Sequence, residues 1–197
     1  MTKTIDYYYA TVSPWMYLGH DRLVALAKEH GARIVPKPVN FGEVFPASGG
    51  LPLSKRAPQR QAYRLIELKR WSEFLGKPMN LQPKFFPANG DLAACWILAA
   101  AEQGAEDAIA LTGAIGRALW EEERDIADAQ TLGDVAKRIR LDPTTLAARA
   151  RDMSTRYETM TKEAIDRGVF GAPTYVYQDE LFWGQDRLDF LGRKLAK

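Results

Sequence analysis

The tetrapeptide Ser13-Pro14-Trp15-Met16 places a hydroxyl where the chain could stabilise a negative charge. Serine is favoured as an N-cap and proline as the first helical residue, so a helix is predicted to begin here. The first N–H groups of a helix have no partner within it, and the helix dipole adds partial positive charge beside them. We interpret the site as one that binds a thiolate, and we expect that thiolate to belong to a bound cofactor rather than to the protein.

The neighbours of this serine limit its chemistry. Thiol–disulfide exchange requires a protein thiolate, which neither Ser13 nor Met16 can supply. A hydroxyl can still donate a hydrogen bond to a bound sulfur, and lowering a thiol pKa from about 8.5 by about two units requires roughly 2.7 kcal/mol. One charge-assisted hydrogen bond and a helix N-terminus supply free energy of that order. The alternative is that Ser13 is only a helix cap; the tetrapeptide alone favours this simpler role, and the motifs below reverse that preference.

A strand and a helix position this serine. Residues 5–10, Ile-Asp-Tyr-Tyr-Tyr-Ala, are rich in aromatic residues and predict a strand. Apolar residues on one side of the segment 17–29 predict a helix, and His30-Gly31 ends it. Residues 33–39 predict a second strand, at a sheet edge or bulge because two prolines interrupt it. A strand–helix–strand opening predicts that these two strands are parallel.

The middle of the chain predicts a long loop followed by helices. Residues 40–58 are rich in Gly and Pro and predict a loop, and loops of this length often act as lids or binding loops. From about Gln59 the pattern is helical for more than a hundred residues. Residues 92–101 are apolar on almost every side, so that helix is expected to be central. Asp142-Pro143 is expected to open a long helix that reaches about Asp166.

The last part of the chain returns to strands. Residues 174–177 predict one strand, residues 181–183 a short antiparallel partner, and residues 186–197 a closing helix. The order is therefore strand–helix–strand, a block of helices, then strand–strand–helix. The economical interpretation is a discontinuous α/β domain that is interrupted by an all-helical insert.

Composition excludes several classes of function. The chain of 197 residues is 46% hydrophobic, enough for a real core, and its net charge of +2 predicts no general attraction to nucleic acid. The longest apolar run, residues 92–101, is about half of what a membrane span needs, so no membrane association is expected.

The only cysteine, Cys95, allows no intrachain disulfide, which fits a cytoplasmic location. With only His20 and His30 beside Cys95, no metal site is predicted, and we expect His20 to lie on the exposed part of the first helix.

Four motifs, spread from one end of the chain to the other, carry a resemblance to a known family. They are Tyr8-Tyr9 to Ser13-Pro14 with Tyr17-Leu18, then Phe86-Pro87-Ala88-Asn89, then Gly168-Val169-Phe170-Gly171-Ala172-Pro173-Thr174, and finally Phe182-Trp183-Gly184-Gln185-Asp186-Arg187-Leu188. Each motif alone is weak. Together, in this order and at these spacings, they make the chain resemble the 2-hydroxychromene-2-carboxylate isomerases, relatives of the kappa-class glutathione transferases.

The resemblance implies a fold, an activity and a cofactor. The fold is thioredoxin-like and of the DsbA type, with residues 1–40 and 168–197 forming a discontinuous thioredoxin-like domain and residues 41–167 a lid loop and helical insert domain. The activity is the isomerisation of 2-hydroxychromene-2-carboxylate to trans-o-hydroxybenzylidenepyruvate, in the degradation of aromatic compounds. The cofactor is glutathione, whose thiolate Ser13 would stabilise. A homodimer is also implied.

The resemblance assigns a second element to the site at Ala172 and Pro173. In thioredoxin-like folds the matching proline is cis and faces the start of the first helix. The residue before it, Ala172, would offer its backbone to a cysteinyl-type peptide in strand-like pairing. The alternative is an ordinary trans proline that opens a strand.

Three further residues are implied to contact glutathione. Gln185 and Asp186, at the start of the last helix, could hold the α-amino and carboxylate groups of a γ-glutamyl moiety, or Asp186 could serve as a helix cap. Arg60 lies where kappa-class relatives use a lysine, and arginine can also bind a carboxylate. Arg60 as a solvated helix residue is an equal alternative.

The substrate pocket is expected to be apolar and aromatic, with a cationic or amide contact for the substrate carboxylate. Pro14 and Trp15 would line it beside Ser13. Asn89 could line the substrate side, or it could be an ordinary turn asparagine. Trp183 is expected in the pocket wall or the core rather than as a ligand contact.

Two other functions remain open at the level of sequence. A kappa-like glutathione transferase would use the same serine and the same glutathione contacts on an electrophilic substrate. A thioredoxin-like binding module without catalysis is permitted because both active-site cysteines of the redox relatives are absent.

Overall fold

The structure, a computed structural model, describes residues 2–197. Four strands and nine α-helices occur in this part of the chain. The strands are β1 (Thr4–Tyr9), β2 (Arg33–Pro38), β3 (Thr174–Tyr177) and β4 (Glu180–Trp183). The helices are α1 (Pro14–Glu29), α2 (Phe41–Ser48), α3 (Pro58–Leu75), α4 (Asp91–Gln103), α5 (Ala105–Trp120), α6 (Ala129–Arg138), α7 (Pro143–Ala150), α8 (Ser154–Asp166) and α9 (Leu188–Leu195). Two short 3-10 helices, Leu53–Lys55 and Gln185–Arg187, complete the set.

One four-stranded sheet organises the fold in the order β2-β1-β3-β4. Strand β2 is parallel to β1, whereas β3 is antiparallel to β1 and β4 is antiparallel to β3. Strand β2 therefore lies at a sheet edge, where its two prolines cost no hydrogen bond to a further strand. The predicted strand–helix–strand opening and strand–strand–helix ending are confirmed, and so is the α/β, thioredoxin-like class.

Both faces of the sheet are buried, and β1 shows how. Ile5, Tyr7 and Tyr9 point into the larger apolar cluster, which also contains α1, α4 and α5. Tyr8 points the opposite way, into a smaller cluster with residues of α2 and α8. This alternation is the period of two expected for a strand. It explains why β1 is almost continuously aromatic and apolar.

Helix α4 lies at the centre of the helical block, as the apolar sequence predicts. Its buried residues are Ala93, Ala94, Trp96, Ile97, Leu98, Ala99 and Ala100. The helix contacts α5, α6, α7, α8 and β2, so almost every side of it meets protein. A single apolar cluster joins this block to the sheet. The domain boundaries at residues 40 and 168 stay a prediction.

The prediction of a long loop over residues 40–58 is wrong in its first half. Helix α2 occupies residues 41–48, where Asn40 caps it by accepting a hydrogen bond from the Gly42 N–H at 2.8 Å. Gly42 and Pro46 hid this helix in the sequence, since both residues usually mark turns. Burial of Phe41 and Val44 offsets their poor helix propensity.

The predicted long helix from residue 143 to residue 166 is two helices. Helix α7 ends at Ala150 and α8 begins at Ser154. Asp152 and Ser154 mark the break, because the side chains of these residue types compete with helical hydrogen bonds and favour helix ends. Buried Met153 anchors the connection in the apolar cluster.

His20 is not on an exposed part of α1. It is only 4% exposed and packs against Gly113 of α5, where a Cβ would meet the imidazole ring at 2.8 Å. The absence of a side chain on Gly113 therefore makes room for His20. Burial lowers the pKa of this histidine to about 4, with Lys77 and Arg117 acting in the same direction and Asp21 opposing them.

Within residues 2–197, no helix is both long enough and apolar enough to cross a membrane.

Candidate functional site

The Ser13 hydroxyl lies at the start of α1, where β1 delivers the chain into the helix. Ser13 is the N-cap, and its Oγ accepts a hydrogen bond from the Met16 N–H at 3.2 Å. Pro14 is the first helical residue, as predicted. A serine hydroxyl has two lone pairs and one proton, so the Oγ that caps the helix still has an O–H to donate. The capping role and the anion-binding role of Ser13 are therefore compatible.

Ser13 lines a cavity of about 590 Å³. This volume lies in the range of small-molecule sites in proteins. The start of α1 provides one wall, α2 and the segment that follows it provide a second, and the N-terminal half of α3 provides a third. Residues 170–172 and Trp183 close the cavity from the side of β3 and β4.

Six aromatic side chains contribute to the walls of the cavity. They come from five segments of the chain and are Trp15, Phe41, Phe45, Phe86, Phe170 and Trp183. Trp183 is 52% exposed and packs edge-on against Phe170, with ring centroids 4.8 Å apart. A Cβ on Gly171 would collide with the Trp183 indole, so this glycine allows the tryptophan to lie against the wall. The cavity can therefore contact a flat, apolar ligand from several sides.

Three arginines, Arg56, Arg60 and Arg64, form a row along one side of the cavity. They are spaced four residues apart, and the last two lie on one face of α3. Arg56 donates from Nε to the Leu51 carbonyl at 2.8 Å and lies over the Phe45 ring. The guanidinium of Arg64 lies 5.3 Å from the centroid of the Phe86 ring.

No carboxylate neutralises this row. Among the described residues, none lies within 4.0 Å of Arg56, Arg60 or Arg64, whereas Arg70, further along α3, pairs with Glu67 at 2.6 Å. Burial lowers the pKa of Arg64 to about 10, and the charge of Arg56 adds to this effect. Burial also lowers the pKa of Arg56, with a contribution from Arg60. Three cationic side chains without acidic partners make the cavity favour an anionic ligand.

Six of the ten predicted site residues line this cavity: Ser13, Pro14, Trp15, Arg60, Ala172 and Trp183. Pro173 is buried directly behind the wall, its peptide bond with Ala172 is cis, and its carbonyl accepts a hydrogen bond from the Gly184 N–H at 2.8 Å. The structure thus brings the start of α1 and the Ala172-Pro173 segment to the same cavity.

Gln185 and Asp186 lie outside the cavity wall. They belong to the 3-10 helix that precedes α9, and not to the closing helix itself. Gln185 is 2% exposed, and its side-chain oxygen accepts a hydrogen bond from Arg22 Nη1 at 2.9 Å. Asp186 is exposed and pairs with the adjacent Arg187 at 2.6 Å.

Asn89 does not line the cavity either. It is exposed, and its Oδ1 accepts a hydrogen bond from the Asp91 N–H at 2.8 Å at the start of α4. This is the contact expected of a turn asparagine. Its neighbour in the same motif, Phe86, is the residue that reaches the cavity.

Sequence reasoning missed Arg56 and Arg64. The spacing of Arg60 and Arg64 could have indicated Arg64, because residues four apart share one face of a helix. Arg56 lies in the connection before α3, and its neighbours in the sequence carry no signal of its position at the cavity. The sequence also gave no role to Phe45 of α2, because α2 itself was not predicted.

A second and larger cavity, of about 830 Å³, lies between α1, β2 and α5. His20, Ile109 and Gly113 are among its lining residues, and none of the predicted site residues is. Its lining has no hydroxyl at the N-terminus of a helix beside cations that lack acidic partners. The smaller cavity has this combination and is therefore the better candidate site. Among residues 2–197, no group of three or more His, Cys, Asp or Glu side chains is arranged to hold a metal ion.

Comparisons with known proteins find relatives of the same fold. The family model of the DsbA-like thioredoxin domain matches residues 4–196. A 2-hydroxychromene-2-carboxylate isomerase of Sphingobium xenophagum is 31% identical over 97% of this chain and 97% of its own length. One of Pseudomonas putida is 29% identical over 98% of this chain and 94% of its own length. The solved structure of a 2-hydroxychromene-2-carboxylate isomerase superimposes with a TM-score of 0.85 at 26% identity, covering 98% of this chain and 94% of that one.

Proposed function

Because the chain belongs to the 2-hydroxychromene-2-carboxylate isomerase family of DsbA-like thioredoxin domains, we propose that it is a glutathione-dependent isomerase of a chromene carboxylate. The reaction is the conversion of 2-hydroxychromene-2-carboxylate, or a close aromatic analogue, to trans-o-hydroxybenzylidenepyruvate. Substrate and product are isomers, so the reaction requires no oxidant, reductant or second substrate.

The observation that carries this proposal is the position of the Ser13 hydroxyl. It lies at a helix start, keeps an O–H to donate, and lines a cavity that also contains three arginines without carboxylate partners. A thiolate held there would receive a hydrogen bond from Ser13 and the favourable field of the α1 N-terminus. Ser13 itself is a poor nucleophile here, because no general base is among the residues that line the cavity.

Glutathione fits the charges of the cavity. When ionised it has two carboxylates, one thiolate and one ammonium group, so its net charge is negative by two units. The substrate carboxylate adds one more negative charge, and the three arginines balance the total. When bound, glutathione supplies a thiolate that adds reversibly to a conjugated carbon, so that the former double bond can rotate before elimination restores it.

The residues around Ser13 have separate tasks in this proposal. Ala172 and Pro173 present the backbone that pairs with the cysteinyl part of glutathione, Arg60 binds a carboxylate, and Gln185 and Asp186 hold the γ-glutamyl end. Neither Gln185 nor Asp186 lines the cavity, so this part of the proposal requires glutathione to extend beyond Trp183 to the 3-10 helix.

The aromatic walls serve the substrate. Pro14 and Trp15 contact its flat ring, Trp183 forms part of the pocket wall, and Asn89 follows Phe86 in the same connection without lining the cavity. Aromatic walls also exclude water, which strengthens the hydrogen bond from Ser13 to a thiolate. The protein is proposed to act in the cytoplasm, as a homodimer, in the degradation of aromatic compounds.

One experiment separates this function from its two alternatives. The protein is incubated with glutathione and the chromene carboxylate, and free glutathione and products are measured over time. An isomerase forms the benzylidenepyruvate and returns glutathione in full, whereas a glutathione transferase consumes glutathione and accumulates a conjugate. A binding module without catalysis forms neither product, and calorimetry would show no glutathione binding. Consumption of glutathione, or absence of turnover, would overturn the proposal.

A further inference from the structure

Like Arg56 beside Phe45, Arg64 is supported by aromatic side chains. Its guanidinium lies over the Phe86 ring, and Phe86 in turn packs against buried Trp120 with ring centroids 4.9 Å apart. A cation over the face of an aromatic ring is attracted electrostatically, and this attraction does not use the N–H groups that point away from the ring. Arg64 is therefore held in place by an aromatic support while its donors remain available.

The donors of Arg64 have no protein partner. Among the described residues, no carboxylate lies within 4.0 Å of it and no protein acceptor binds its guanidinium. Arg70 on the same helix shows the usual arrangement, with an exposed side chain paired to Glu67. A half-buried arginine beside another arginine and without an acidic partner lowers the stability of the folded protein unless an anion binds to it.

We propose that Arg64 binds the carboxylate of the aromatic substrate and so determines that the enzyme accepts carboxylates. This proposal rests on the proposed function, and it names the residue that selects the substrate class. Arg64 and Phe86 together present a cation beside an aromatic ring. A flat aromatic acid matches that pair, since its ring packs on apolar walls while its carboxylate meets a bidentate donor.

The other two arginines suit this task less well. Arg60 is exposed, so its interaction with a ligand is screened by water. Arg56 already uses its Nε to bind the Leu51 carbonyl, and it lies over Phe45 of α2. Arg64 is therefore the one arginine of the row that is both shielded from water and free to offer all its donors to the substrate carboxylate.

The test measures binding rather than turnover, with two probes that cannot react. Chromone-2-carboxylate and chromone-2-carboxamide have the same ring and differ in the charge of one group. Their dissociation constants are measured by calorimetry, in the presence of S-methylglutathione, for the full chain and its variants. The substitutions are Arg64→Gln, which removes the charge, and Arg64→Lys, which keeps the charge but removes the bidentate geometry. Arg70→Gln on the same helix is the matched control.

We expect the parent protein to prefer the carboxylate over the carboxamide by about 10- to 100-fold, the size of a hydrogen bond to a charged group. Arg64→Gln should abolish that preference without changing the affinity for the carboxamide, Arg64→Lys should retain part of it, and Arg70→Gln should retain all of it. An undiminished preference in Arg64→Gln overturns the proposal, and so does a parent protein without any preference.

The two proposals fail in different ways. If the parent isomerises the chromene carboxylate and Arg64→Gln keeps its preference for the carboxylate probe, the assignment of Arg64 is wrong and the isomerase function stands. If Arg64 carries the preference but glutathione is not returned in the turnover experiment, the isomerase function is wrong and the carboxylate site stands.

Discussion

Arg22 of α1 donates two hydrogen bonds from Nη1 to Gln185, one to the backbone carbonyl at 3.1 Å and one to the side-chain oxygen at 2.9 Å. Gly19, one turn earlier on α1, lies so close to the same residue that a Cβ would meet the Gln185 Cβ at 2.7 Å. The helix that begins at Ser13 and the 3-10 helix that carries Asp186 are therefore held together by direct contact. Arg22 fixes the position of the proposed γ-glutamyl contact relative to the proposed thiolate site.

Replacing this arginine tests whether it positions the glutathione contact. In Arg22→Met both hydrogen bonds to Gln185 are lost and the 3-10 helix gains freedom, so we expect the KM for glutathione to rise about 10-fold, the equivalent of one hydrogen bond to a charged group. The kcat should change little, because Ser13 is untouched. Steady-state kinetics with varied glutathione gives both values, with the exposed Arg151→Met as control. A fall in kcat at constant KM would contradict this role.

Ser13→Ala should remove most of the activity while the protein stays folded. The lost hydrogen bond to the thiolate resembles the loss of one oxyanion-hole donor, so kcat should fall about 100-fold or more. The lost cap should lower the free energy of unfolding by about 1 kcal/mol. Kinetics, together with the absorbance of the bound thiolate as a function of pH, measures the first effect, and denaturant unfolding measures the second.

Asp142→Ala is the matched control for the capping effect. Asp142 is the N-cap of α7 and accepts hydrogen bonds from the Thr144 and Thr145 N–H groups at 3.1 and 3.2 Å. Its loss should cost about the same stability and no activity. Equal turnover in Ser13→Ala and the parent protein would show that Ser13 only caps the helix.

The sequence was sufficient to predict the fold and the position of Ser13, because both depend on local patterns. The aromatic run of β1, the Ser13-Pro14 start of α1 and the apolar surface of α4 are each encoded within a few neighbouring residues. Local signals failed at α2, where Gly42 and Pro46 indicate a turn. There the burial of Phe41 and Val44 against α8, far away in the sequence, decides the outcome.

The cavity was less predictable than the helix start. Arg64 becomes part of the site because α3 packs against α1, and Arg56 because the connection before α3 borders the same cavity; contacts between distant segments decide both placements. The same limit applies to His20. The sequence of α1 alone predicts an exposed His20, whereas α5 covers it through Gly113. Contacts between distant segments determine these details, and one sequence does not contain a direct signal for them.

Burial of His20 should make the protein less stable in mild acid. Its pKa of about 4 lies below the usual value of 6.5, so between these pH values the unfolded chain binds more protons than the folded one. Stability should therefore be complete above about pH 6.5 and should decrease as the pH falls towards 4, by about 3 kcal/mol over the whole window. Chemical unfolding at several pH values measures this slope.

The slope is assigned to His20 by comparing two variants. His20→Gln should flatten the dependence of stability on pH between 6.5 and 4.5, whatever its own effect on stability at neutral pH. His30→Gln, which changes the other histidine of the chain, should leave the slope as it is in the parent protein. An unchanged slope in His20→Gln would show that other groups cause the acid sensitivity.

Arg60 should contribute a modest and salt-sensitive part of glutathione binding. It lines the cavity but is exposed, so its attraction to a carboxylate is worth no more than about 1 kcal/mol. Arg60→Gln should therefore raise the KM for glutathione by at most about 5-fold, and Arg60→Lys should restore most of the loss, because a point charge suffices at an exposed site. Raising the ionic strength should reduce the difference between the parent protein and Arg60→Gln, since screening acts only on the charged side chain.

Lys69→Gln, which removes an exposed cation from the same helix away from the cavity, should have no effect on this KM. If Arg60→Gln and Lys69→Gln behave alike at low salt, Arg60 is a solvated helix residue and the glutathione carboxylates are bound elsewhere.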